Sequence, residues 1–251
     1  NYLTLDQLTM LNIIASTNWQ RPIYFTSSAA ADQLGFGQYL RKEGLSLRLV
    51  PAINEYPQQN WLVDQALRGG NIKDNNLDVM YRTLMNDFGT GGANKPGVYF
   101  DEENRRHLLS VRAAFAEGAG NLSDKGRKPE AIQLLDRAES LIHTGNMPYA
   151  MASRYNSHNQ TGLMYLEAAY KAGHMQLANK VRTAILKDLN DQKAYYDYMK
   201  NEKEAFYNSV SREADINNFL FQLLEALDKN YNPTATLEQA PGRAADSTEL
   251  R

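Results

Sequence analysis

Four histidines, a run of acids and a glycine-rich loop are the residues that first suggest chemistry. His107, His143, His158 and His174 form neither His-x-x-x-His nor His-Glu-x-x-His, the spacings that put two imidazoles on one helix face for a metal. They read as solvated surface side chains. Asp101, Glu102 and Glu103 have the chemistry of a carboxylate pair for acid–base work. They also open a helical pattern, where the helix dipole favours acids without any ligand. The stretch Gly89-Thr90-Gly91-Gly92-Ala93-Asn94-Lys95 lacks the Gly-Lys-Ser/Thr ending of a phosphate cradle and reads as a plain loop. The chain has no cysteine, so disulfides, thiolate nucleophiles and cysteine metal sites are excluded. No Gly-x-Ser-x-Gly occurs, and neither a catalytic residue, a metal nor a cofactor is expected.

Two arginines carry more weight. Arg21 opens one predicted strand and Arg48 lies inside a second. Paired strands would bring both to one surface, with Arg41 and Lys42 nearby, and a guanidinium fork suits a phosphate or carboxylate. Arg21, Tyr24 and Arg48 are therefore the expected binding residues. The competing reading is ordinary ion pairing with Glu43 or Asp32. Tyr195, Tyr196, Tyr198, Phe206 and Tyr207 suit a stacking platform for sugars, but amphipathic helix packing explains them as well.

The elements that must position these residues follow from capping and periodicity. Thr4-Leu5-Asp6-Gln7 reads as a capping box, and Leu8, Leu11 and Ile14 or Ala15 as the buried stripe of the helix it opens. A strand follows from Pro22 to Thr26, one or two helical turns over Gln38–Glu43 stopped by Gly44, and a second strand over Leu45–Val50. Trp61–Leu67 reads as a short helical piece closed by Gly69-Gly70. Leu77, Met80, Tyr81, Leu84, Met85 and Phe88 line one helix face, and Val98–Phe100 suggests a third strand.

From Arg105 to Leu189 the pattern is tetratricopeptide-like. Ala119, Gly126, Ala131 and Ala138 put small residues where two helices of a hairpin cross; 47 residues on, Gly173 and Ala178 repeat the pattern more loosely, and Ile185 in place of Ala138 ends the match. Gly126 is placed to end a helix in the left-handed conformation, and Pro129 to start the next. Ile216, Phe219, Leu220, Leu223 and Leu227 give a last helix that caps the stack.

The expected fold is α+β and predominantly α. An N-terminal α+β module (1–100) holds a short sheet, helical hairpins follow (101–231), and 232–251 is a mobile tail. A net charge of −2, with 43% hydrophobic and 22% charged residues, gives no electrostatic case for nucleic acid. No apolar run approaches the ~20 residues of a membrane span. The chain opens at Asn1 without an initiator Met, as a piece of a longer protein would.

The same residues carry a resemblance. Asn18-Trp19-Gln20-Arg21-Pro22-Ile23-Tyr24-Phe25 resembles the Asn-Trp-x-Arg-Pro-Ile-Tyr-Phe block of a bacterial multi-pass membrane-protein family similar to protein O-mannosyltransferases. Tyr39-Leu40, Glu43-Gly44-Leu45 and Arg48-Leu49-Val50-Pro51 are similar to the family's next block, and residues from Asp78 to Tyr99 continue in its order. The resemblance implies a soluble C-terminal region on the periplasmic face of the bacterial inner membrane. In such a protein, glycosyl transfer from a lipid-linked sugar would occur in the membrane region. The implied partners are that N-terminal membrane region and an acceptor protein or glycan. An independent helical-repeat adaptor for a protein partner is the alternative.

Overall fold

The computed structural model describes residues 2–53, 61–68 and 76–234. The chain starts with α1 (Leu5–Thr17), where the Thr4 backbone N–H donates to Gln7 Oε1 at 3.0 Å as the capping box requires. Asn18 and Trp19 both take positive φ (43° and 60°), which stops the helix and turns the chain toward the sheet. The sheet has three short antiparallel strands, β1 (Tyr24–Phe25), β2 (Leu40–Glu43) and β3 (Ser46–Leu49), with β3 in the middle. Between β1 and β2 lie α2 (Ser28–Gln33) and a 3-10 turn at Gly37–Tyr39.

Two strand assignments differ from the expectation. Residues 40–43 are a strand, not helical turns. Glu43 faces Ser46 across a two-residue turn, and Gly44 takes φ +69°, the conformation a tight hairpin needs at that position. A Cβ on Gly44 would also come within 3.4 Å of Thr83 and Phe88. Val98–Phe100 is not a strand. Tyr99 is largely exposed there, so pairing would bury little, and the segment leads directly into the next helix.

The rest is helical: α3 (Leu62–Arg68), α4 (Leu77–Asn86), α5 (Glu102–Asp124), α6 (Lys128–Leu141), α7 (Ser157–Ala172), α8 (Met175–Glu202), α9 (Glu204–Tyr207) and α10 (Ser211–Tyr231). The fold is thus α+β and mainly α. Helices α5 and α6 form one hairpin and α7 and α8 a second. Helix α5 packs along α7, and α10 lies against α8.

The two hairpins turn by the same device. Gly126 takes φ +77°, its N–H bonds to Ser123 O, and the Arg127 N–H reaches back to Leu122 O at 2.8 Å. Gly173 takes φ +79°, and His174 N–H reaches Ala169 O at 2.9 Å. Both are Schellman closures, which need a residue free of Cβ strain. Ala119, Ala131, Ala138 and Ala178 are all buried, as their spacing predicts, and so is Ile185, where the small-residue pattern ends.

Two cores result. A small one joins Met10, Ala31, Leu40, Leu47 and Leu49 under the sheet. The larger one holds Phe115, Leu134, Leu163, Tyr165, Ile185 and Leu220, and takes in Trp61, Val63, Met80 and Leu84 from α3, α4 and the residue before α3. Trp61 lies against Gly120 so closely that a Cβ there would sit 1.7 Å from its ring. The expected closure at Gly69-Gly70 and residues 235–251 of the expected tail lie outside the described residues.

Candidate functional site

Strand register decides which side chains share a face. Tyr24 pairs with Arg48, and Arg48 with Arg41, so these three form a row across one side of the sheet. Glu43, two residues from Arg41, lies on the same side. It is 6% exposed and acts as the hub: Tyr24 Oη donates to its Oε2 at 2.7 Å and Asn76 Nδ2 to its Oε1 at 3.2 Å. Arg48 Nη1 sits 3.6 Å from the same Oε1. The hydrogen bond to this carboxylate, with burial second, raises the Tyr24 pKa above that of an ordinary phenol.

The pairing of Arg48 with Glu43 that competed with a ligand role is therefore present. Half the side-chain chemistry remains open even so, because Arg48 is 40% exposed and Tyr24 46%. Arg21 lies just ahead of β1, fully on the surface, with no ion pair among the described residues. The other side of the sheet faces the small core, and from it Lys42 reaches across to pair with the buried Glu117 of α5. That pair ties the sheet to the helical stack.

Helix α1 presents a second surface. Gln7, Met10, Ile14 and Thr17 form its inward stripe, so of the expected stripe Ile14 does face inward, while Leu8, Leu11 and the alternative Ala15 face outward. Leu5 is 82% exposed, Leu8 48%, Leu11 42% and Ile13 43%. Asp6 is the helix's one charged residue. A shallow, mainly apolar groove of about 550 Å³ runs between Leu5, Thr9, Met10, Ile13 and Leu34, with Asp6 at its wall. An apolar helix face of this kind normally marks a contact surface.

The histidines need correction at two positions, His174 and His158. His107 and His143 are exposed as expected, and His174 caps α8 through Nδ1 while its Nε2 meets Asp136 at 2.9 Å. His158, however, is buried, which holds its pKa down to about 4, with Arg112 and Arg105 adding to the effect. The imidazole is therefore neutral. A lone polar residue at a helix start carries no periodic signal that would have shown this. Asp101 does cap α5, accepting from Asn104 N at 2.8 Å. Tyr195, Tyr198 and Phe206 are half or more exposed. No group of three metal-ligating side chains occurs among the described residues.

Residues 1–67 match the family described as TMEM260-associated domain 2. The match covers α1, α2 and the whole sheet, about a quarter of the chain. No curated protein and no solved structure matches the chain. No helix among the described residues is long and apolar enough to cross a membrane.

Proposed function

We propose that this chain is a non-catalytic extramembrane domain of a polytopic glycosyltransferase-like membrane protein, on the periplasmic side, held against that protein's membrane region by the outward face of α1. The observation that carries this reading is the position of the exposed apolar face. It falls inside the residues that match a membrane-protein-associated domain, on a helix with a single charge. A face so poor in charge favours an apolar protein surface over an anionic lipid surface, which recruits lysine and arginine. With α1 docked, the Arg21, Tyr24 and Arg48 surface is the part of the sheet available to an acceptor protein or glycan.

The test is a double substitution, Leu8→Asp with Leu11→Asp, in the full-length protein. Both residues point outward, so folding of the domain should be unaffected by circular dichroism. Protease cleavage between the membrane region and the domain should then release the domain from washed membranes in the variant, while the wild type stays bound. Equal retention of the two would reject the reading. The adaptor alternative is favoured by one observation, the exposed Tyr195, Tyr198 and Phe206 near the end of α8 and on α9. It predicts capture of a protein partner that is lost in Tyr198→Ser and unaffected by the α1 changes.

A further inference from the structure

A cleft of about 780 Å³ opens on the helical stack, away from the sheet and α1, between the first turn of α5 and the segment leading into α7. Its polar lining includes Arg105, Arg106, Arg154, Glu102, Glu103 and His158. Arg106 is neutralised by Glu103 at 2.5 Å. Arg105 and Arg154 have no carboxylate partner among the described residues. Among those residues Arg105 makes no salt bridge; its Nη1 meets the Met151 sulfur at 3.9 Å, its buried Nε has no hydrogen-bond partner, and the nearby Asp101 carboxylate attracts it without bonding to it. Arg154 lies over the Tyr155 ring at 5.0 Å and donates to its hydroxyl at 3.2 Å.

His158 lines the same cleft. It is 4% exposed, and its Nε2 has no hydrogen-bond partner. Buried polar atoms are ordinarily satisfied, so an unpartnered imidazole nitrogen in a cleft wall is left free to bond a bound group.

The backbone supports the same conclusion. Tyr155 and Asn156 both take positive φ, 54° and 53°, a strained choice for side chains other than glycine. A buried network holds Asn156 there. Asn156 Oδ1 accepts from Asn159 at 2.7 Å, Asn156 Nδ2 donates to Gln192, and both Asn159 and Gln192 donate to Asp188. The strained pair sets Arg154 and Tyr155 at the cleft mouth.

We propose that this cleft binds a small phosphate-bearing molecule whose oxyanion is held by Arg105 and Arg154 beside His158. A carboxylate offers two oxygens, whereas the three terminal oxygens of a phosphomonoester give each of two guanidinium forks and an imidazole N–H its own acceptor. The volume admits an organic body as well as the phosphate, and lies within the range of small-molecule sites. Nothing in this site depends on the docking of α1.

Titration calorimetry on the whole chain tests it with three probes: inorganic phosphate, glycerol 3-phosphate and succinate. Glycerol 3-phosphate should bind saturably, at least tenfold more tightly than succinate. Arg154→Ala, an exposed position whose loss should not disturb folding, should weaken it at least tenfold, and Arg105→Lys several-fold. Tighter binding of glycerol 3-phosphate than of inorganic phosphate would support an organic phosphate ester. Equal affinity would also support the oxyanion site and assign free phosphate to it. Absence of saturable binding by either phosphate probe, succinate binding as tightly, or affinity unchanged in both variants would overturn the proposal.

Discussion

Glu167 carries the most consequential structural prediction. This carboxylate of α7 is fully buried and accepts from the backbone N–H groups of Leu62 and Val63 at 2.8 and 2.9 Å, with Tyr231 Oη at 3.4 Å. Those N–H groups belong to the first turn of α3, which has no earlier residues in the helix to satisfy them. Glu167 therefore caps α3 from another helix. Lys171, one turn on, lies 4.4 Å from the Trp61 ring. Together they pin the segment around Trp61 to α7.

Glu167→Ala leaves two inward donors without an acceptor and opens a small cavity. Each donor costs about 1–3 kcal/mol when stranded, so the loss should be about 4 kcal/mol. Glu167→Gln retains one acceptor but loses the charge, and should cost about 2 kcal/mol. The two variants also separate by pH. Burial, the largest cause, raises the Glu167 pKa above its ordinary 4.5, against the backbone donors that favour the charged form.

The folded state therefore binds the proton more tightly than the unfolded one. Its contribution is fully present below 4.5 and declines as pH rises through the folded value. Glu167→Gln should remove that decline. Urea titrations over a pH series measure both effects, and the slope with urea should stay constant if two-state unfolding is preserved. A loss below about 1 kcal/mol for Glu167→Ala would refute the capping argument.

Three further outcomes are expected. Gly120→Ala should destabilise the fold by about 3 kcal/mol, because its Cβ would lie 1.7 Å from Trp61 and the indole must move; thermal melts with Trp fluorescence check this. The neutral His158 binds its proton more weakly than an unfolded chain, about 4 against 6.5, so stability should fall by about 3 kcal/mol as pH drops across that window. His158→Asn should lack that component, seen as a flatter pH dependence of unfolding. Tyr24→Phe removes one donor from Glu43 but leaves Arg48 and Asn76, and should cost about 1 kcal/mol in a urea titration.

The hairpins were legible because their turns need what only glycine supplies cheaply. Gly126 and Gly173 sit where the chain leaves a helix at positive φ, and apolar faces of period 3.6 flank both. The inward face of α1 was not legible. Leu8 with Leu11 and Met10 with Ile14 are both at helical spacing, and only the position of the sheet selects the second pair. Leu40–Glu43 contains good helix formers and no β-branched residue, so propensity pointed the wrong way. The hairpin at Gly44-Leu45 and pairing with β3 overrode it.

At the candidate site the sequence suggested that the two strands pair, but it is Tyr24 rather than Arg21 that lies opposite Arg48, and Lys42 lies on the other side of the sheet from Arg41. The dominance of Glu43 depends on its burial, which local pattern does not reveal. The bridge from Lys42 to Glu117 and the reach of Glu167 to Leu62 span 75 and 105 residues, beyond any local rule.

The most direct test of the account is a photo-crosslinking amino acid placed at Leu11 in the full-length protein in its own membrane. The account predicts a crosslink within the same polypeptide, mapping to the membrane-embedded region, with none from a probe at the exposed Asp136 on the hairpins. Crosslinks from position 11 to lipid alone, to unrelated proteins or to nothing would contradict the docking of α1.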